Sequence, residues 1–393
     1  MLKFKAYKWM MAALLLAGVY SCKSNYTPPD ISAPNSYLVV EGTIVTGNTD
    51  STLITLSHTV NLSGKTSTAI EEGAVVSVQD EAGHSYTLTY KGKGIYGAPA
   101  LNLPAADKYR LTIKRANGSS YTSDYVQAKS APAIDSVTYQ ALDDGLHVYV
   151  NTHDNTNGTR YYRWAYQEDW EFHSYYFSTY IADDKINNVR IRVPGEYVNA
   201  CFQHQNSSII NLTSTAKLTQ DVVSQQPITF VAGTSEKVNY IYSILVKQYA
   251  LTDEAYLFWE NMKKNTEQLG SIFDAQPTQL TGNIHNTADA REPVIGYISA
   301  GAVSSKRLYV KRFDITRRWV TEGNEACAID SLLLKDKFGT DQVAAQLLSH
   351  LETPLESIQP PGKPFPIGYT GSSHRCADCT TRGTIVKPSF WAY

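Results

Sequence analysis

The 393 residues carry 35 Lys and Arg against 37 Asp and Glu, a net charge of −2, and charged residues make up only 18% of the chain. That balance argues against nucleic acid as a partner, because no basic run lies outside the first residues and Arg317-Arg318 stands nearly alone. The length favours two or more domains with ample core, and 27 Tyr supply rings suited both to sandwich faces and to binding surfaces.

The N-terminus, MLKFKAYKWMMAALLLAGVYSC, places Lys3, Lys5 and Lys8 before an apolar stretch from Trp9 to Val19, the pattern of a secretion signal over residues 1–21. The stretch is well short of the ~20 residues needed to cross a bilayer. VYSC resembles the lipobox of bacterial lipoproteins: Val19 and Ser21 fit it, and Tyr20 is bulkier than the usual occupant. The resemblance implies acylation of Cys22 and a mature protein hanging from membrane lipid; plain secretion with Cys22 incidental is the alternative. Each buried methylene contributes ~0.8 kcal/mol, so two or more acyl chains anchor stably. Residues 22–35 belong to a stretch rich in Pro, Ser and Asn without apolar periodicity, and read as a tether. No acidic residue directly follows Cys22, so retention at an inner membrane is not favoured, and the periplasmic and cell-surface faces both stay open.

Residues 36–130 form a series of short β runs: YLVVEGTIV, STLITLSHTV, AVVSVQD, SYTLTYKG, KYRLTIKR and SYTSDYVQ. In KYRLTIKR, Tyr109, Leu111 and Ile113 alternate with polar neighbours, the period of a strand with one buried face. About seven such runs separated by turn clusters predict a β-sandwich. The stretch from GAVVSVQDEAGH to SSYTSD resembles Ig-like, transthyretin-like or carboxypeptidase-regulatory-like sandwiches, which implies a spacer or interaction module.

Pro132 marks the boundary to a larger β-rich domain over 131–393, opening with a hairpin that turns at Asp143-Asp144-Gly145. Tyr162, Trp164 and Tyr166 follow at period two, as a core face or as an aromatic platform. Trp170, Phe172, Tyr175, Tyr176 and Phe177 would overfill one core face and are expected on an exposed aromatic loop, as binding candidates for an oligosaccharide or peptide. A helix near 252–270 interrupts the β pattern: Thr252 caps it, Asp253 and Glu254 suit the positive end of its dipole, Ala255, Trp259 and Met262 share a face, and Gly270 ends it. The fold class is therefore mainly β, with one or two inserted helices.

The ordered set TDEAYLFWENM, GSIFDAQPTQLTGNIHN, EPVIGYISAGAV with KRLYVKRFDI, and CADCTTRGTIVKPSFW resembles the Bacteroidota lipoprotein family catalogued as domain of unknown function 4249. The resemblance spans nearly the whole mature chain. It implies an outer-membrane lipoprotein encoded beside TonB-dependent receptors, and brings no catalytic residues.

Apart from Cys22 the cysteines are Cys201, Cys327, Cys376 and Cys379, an even number in an oxidising compartment. Two disulfides are expected, and adjacency favours Cys376 with Cys379, leaving Cys201 with Cys327. The short bridge would clasp the C-terminal tail so that TIVK adds a final strand and Phe390 and Trp391 dock on the body. Zinc held by His374, Cys376 and Cys379 is the rival, but no fourth ligand accompanies them, so no metal or cofactor is expected. A redox role would need the pair at a helix N-terminus, and TTRGTIVKP reads as turn and strand. There is no Gly-x-Ser-x-Gly, His-Glu-x-x-His or phosphate loop. Acidic groups such as Asp183-Asp184 and Glu168-Asp169-Glu171 read as solvated turns, although two distant acids of a glycosidase would leave no local motif. Asp50-Ser51-Thr52, Asp135-Ser136-Val137 and Asp330-Ser331-Leu332 resemble a Bacteroidota O-glycosylation pattern.

The leading expectation is a non-catalytic, lipid-anchored accessory protein of the outer membrane, working with a TonB-dependent transporter as partner or substrate-capturing component. A surface adhesin or carbohydrate-binding module, and a carbohydrate-active enzyme, are the alternatives.

Overall fold

The computed structural model describes residues 36–48, 50–60, 69–267, 282–315, 319–320 and 326–393. The signal, Cys22, the tether, Gly270 and Arg317-Arg318 lie outside the described residues. The chain is mainly β, in two large bodies and a smaller appended sheet.

The first body is one curled sheet whose two arms enclose a single core. One arm contains Leu38–Val45 and Thr52–His58, the other Val75–Asp80 and Lys108–Lys114, and Ser85–Gly92 joins them. Val40, Ile54 and Leu56 from one arm meet Val78, Leu111 and Ile113 from the other. Lys108–Lys114 buries Tyr109, Leu111 and Ile113 in alternation, as its period requires.

This body is discontinuous in sequence. Well past the boundary expected near Pro132, Ile284–Asn286 pairs with Ser120–Ser123, and Ser299–Ala302 lies parallel to Leu38–Val45. Ile284, Val294, Ile298 and Ala300 from the returning segment enter the first core. Glycine permits the approach: a Cβ at Gly301 would stand 1.9 Å from the Lys129 carbonyl oxygen.

The second body packs two sheets face to face. Ile134–Ala141, Gly145–Asp154 and Asp221–Ala232 form one; Ala200–Asn206, Tyr161–His173, Ile241–Ala250 and Ser304–Lys311 form the other, in that order. Between them lie Val148, Val150, Tyr162, Trp164, Tyr242, Ile244 and Val246. Of the two sequence readings for Tyr162, Trp164 and Tyr166, the core face is the one formed.

A large indole in such a core needs a partner for its N–H. Trp164 Nε1 donates to Gln248 Oε1 at 2.9 Å, while Gln248 Nε2 donates to the Pro132 carbonyl at 2.8 Å and Thr152 Oγ1 at 3.1 Å. The amide thereby ties the interdomain segment at Pro132 to both sheets. Replacing Gln248 by Leu should cost about 3 kcal/mol in urea unfolding, because the indole N–H and the Pro132 carbonyl lose their partner in a dry site.

The third sheet orders Asp330–Leu333, Gly368–Ser372 and Thr353–Ile358, and packs Leu332 and Tyr369 against Val343, Leu347 and Val189. Val189 comes from the hairpin Tyr180–Asp183 and Asn188–Ile191. Asp183 sits at its turn but is paired, accepting from Arg190 Nε at 2.6 Å.

Candidate functional site

Cys201 bonds Cys379 and Cys327 bonds Cys376, each with Cα atoms 5.7 Å apart. This corrects the adjacent pairing of Cys376 with Cys379. Cys376 sits in a one-turn helix, His374–Ala377, and Asp378 follows in an extended conformation at φ −134° and ψ 105°. That break sends Cys379 into the second core beside Cys201, and leaves Cys376 facing the Cys327 loop. With all four sulfurs oxidised there is no thiolate for zinc, and His374 instead faces Thr353 Oγ1 at 2.7 Å. The tail TIVK forms no strand but a single bridge, Thr384 with Phe202. Trp391 does dock, edge-on against Phe202 and Tyr309, while Phe390 stays partly exposed over Arg307.

The five aromatic candidates separate into two groups. Trp170 is 6% exposed and Phe172 fully buried, so neither belongs to an exposed loop. They continue the period of Tyr162, Trp164 and Tyr166 along Tyr161–His173. The face is not overfilled because Glu168, also buried, takes the intervening inward position, accepting from Lys237 Nζ at 2.7 Å and Tyr242 Oη at 2.8 Å. Asp169 is buried on the other face of the strand between His204 and Arg307, so this acidic pair is no solvated turn. Tyr175 and Phe177 are exposed, at 55% and 53%. Tyr176 lies between them, half-buried and donating to the Cys327 carbonyl at 3.0 Å. Phe177 meets Tyr197 with ring centroids 5.7 Å apart and Tyr175 packs against Tyr176 at 4.8 Å, so the exposed rings here are Tyr175, Phe177 and Tyr197. Of the three serines in the glycosylation-like triplets, Ser51 and Ser331 are exposed, and Ser136 accepts from Asn151.

The structure adds a concavity of about 470 Å³ between the two bodies. Its first wall is Val39–Gly42 with the returning Ile295, Gly296 and Tyr297; Glu41 there is exposed to solvent. The opposite wall is the helix Asp253–Glu267, which Thr252 caps by accepting from Ala255 N at 3.2 Å. Its Ala255, Phe258 and Met262 recur at helical spacing, so one apolar stripe packs inward and faces the groove. Phe258 reaches across to Tyr297, with centroids 5.4 Å apart. Burial pushes the Tyr297 phenol above its ordinary value, although a hydrogen bond with the Thr252 hydroxyl acts the other way.

The floor is the outer face of Tyr161–His173, where Arg163 and Ala165 alternate with the buried aromatics. Arg163 is held between rings, its Cζ 4.4 Å from the centroid of Tyr249 and 4.4 Å from that of Trp259. Tyr249 is its register partner on the neighbouring strand, and Trp259 descends from the helix. The guanidinium has no hydrogen bond or ion pair among the described residues, and its Nε is sealed from solvent. Burial holds its pKa below the ordinary arginine value, and the Tyr249 phenol opposes that shift. Sequence reading missed Arg163. Its signal was a cation on the outer phase of an aromatic strand, which becomes informative only once Trp259 is known to cover it.

The fold and groove define a mainly β, two-body protein with a largely apolar interdomain cleft around one arginine. A family model described as "Domain of unknown function (DUF4249)" matches residues 24–307, and the chain belongs to that family. No curated protein matches the chain. Among solved structures, the chicken CNTN1 FN1-FN3 domains align with 13% identity and a TM-score of 0.19, over 55% of this chain and 62% of that one. Among the described residues no helix is long and apolar enough to cross a membrane, and no three His, Cys, Asp or Glu side chains are gathered to hold a metal ion.

Proposed function

We propose that the protein is a lipid-anchored accessory protein of a bacterial outer membrane, held through acylated Cys22, that serves a TonB-dependent receptor as partner or as a substrate-capturing component without catalysing a reaction. Membership in the family over residues 24–307 carries this reading, since the family resemblance associates such chains with those receptors. The lipobox-like VYSC and the Pro-rich tether supply the anchor. Replacing Cys22 by Ala should move the protein from the membrane to the soluble fraction; retention on membranes would refute the anchor. Gentle detergent extraction with crosslinking should recover a receptor, and recovery of the lipoprotein alone would refute the partnership.

The exposed Tyr175, Phe177 and Tyr197 favour a second reading, an adhesin or carbohydrate-binding module, because rings offered to solvent stack on sugar faces. A receptor gene beside this one supports the first reading, and its absence the second.

A further inference from the structure

A guanidinium is always charged and presents five N–H donors in a planar fork that matches a carboxylate. Arg163 spends none of those donors within the described protein. Its stacking between Tyr249 and Trp259 fixes the plane, as a recognition fork requires, and costs the side chain its freedom before any ligand arrives. Nε is sealed and unpartnered, and the Arg163 side chain lines the groove.

The two arginines of a second concavity are already paired. In the more polar concavity of about 640 Å³ on the first body, Arg115 donates to Glu71 at 2.8 Å and Arg291 to Asp289 at 3.2 Å. Around Arg163 the walls are mostly apolar, with Phe258, Met262, Ile209 and Ile295, and the polar side chains among them include the hydroxyls of Ser207, Ser208 and Thr266 and the exposed Glu41. A volume of about 470 Å³ falls within the ~300–1,000 Å³ range of small-molecule sites, which pair apolar walls with a few fixed polar groups.

We propose that the groove between the two bodies binds a small amphiphilic carboxylate, its anionic end on the terminal nitrogens of Arg163 and its apolar body along Phe258, Met262 and Ile295. The chemistry is that of a medium-chain fatty acid or of an apolar peptide's free C-terminus. This site does not depend on the membrane anchor or on a receptor, so its test and theirs fail separately.

The test is calorimetric titration of the purified full-length protein with decanoate, decanol, and an apolar tripeptide carrying either a free or an amidated C-terminus. Decanoate or the free-acid tripeptide should bind at least tenfold more tightly than its uncharged counterpart, and the tighter of the two acids identifies the source. Arg163→Gln should weaken that binding tenfold or more with the unfolding midpoint measured alongside. Met262→Glu, which sets a like charge in the groove while leaving Arg163 in place, should abolish it. Equal binding of acid and uncharged probes, no binding of either acid, or undiminished binding by Arg163→Gln would each overturn the proposal.

Discussion

Replacing Cys201 and Cys379 together by alanine is expected to lower stability in urea by about 3 to 5 kcal/mol. The bridge joins residues 178 apart, for which chain entropy alone sets a scale of roughly 5 kcal/mol. Both cysteines are also fully buried, in a core shared with Phe172, so the alanines leave unfilled volume as well as a freer unfolded chain. Cys327–Cys376 spans 49 residues, with an entropic scale of about 4 kcal/mol, but Cys327 lies in a half-buried loop. Its loss should be smaller and local, read as faster amide exchange in the neighbouring edge strand Asp330–Leu333. Peptide mapping without reduction should recover 201 linked to 379 and 327 linked to 376. A fragment closed between Cys376 and Cys379 alone would refute this arrangement.

Local pattern was readable wherever the cause was local. The alternation in KYRLTIKR and the cap at Thr252 both follow from neighbouring residues, and the structure forms both. What was not readable depended on contacts distant in sequence. Residues 284–302 complete the first body because glycines let that segment lie against strands more than 150 residues earlier, a relation no local period carries. The spacing of Cys376 and Cys379 suggested a bridge, but the extended backbone at Asp378 decides which way each sulfur points. Trp170 and Phe172, taken with Tyr175, Tyr176 and Phe177, seemed too many for one face, and Glu168 read as part of a solvated turn. Once that carboxylate is seen to have buried partners, the inward phase runs unbroken from Tyr162 to Phe172. Arg163 follows by the same logic: the strand's phase gives its face, and only the docked helix gives its isolation.

Lys237→Met should cost about 3 to 5 kcal/mol, the penalty for leaving a buried charge without its counterion. Glu168 is 4% exposed, and its two described partners are Lys237 and the Tyr242 phenol. Burial, and then the neighbouring carboxylate, push Tyr242 well above its ordinary value, so the phenol stays a donor and cannot balance the charge. Methionine keeps the apolar stem that lies over Trp170, where the ammonium sits 4.9 Å from the ring centroid, so the loss isolates charge rather than packing. The double replacement Glu168→Gln with Lys237→Met should then recover at least half of the loss, since a neutral amide still accepts from Tyr242 and needs no cation. Urea unfolding of the four proteins of this cycle gives the coupling directly. A cost below about 1 kcal/mol for Lys237→Met would mean that water reaches Glu168, and that the unbroken inward phase from Tyr162 to Phe172 passes a hydrated cleft rather than a dry core.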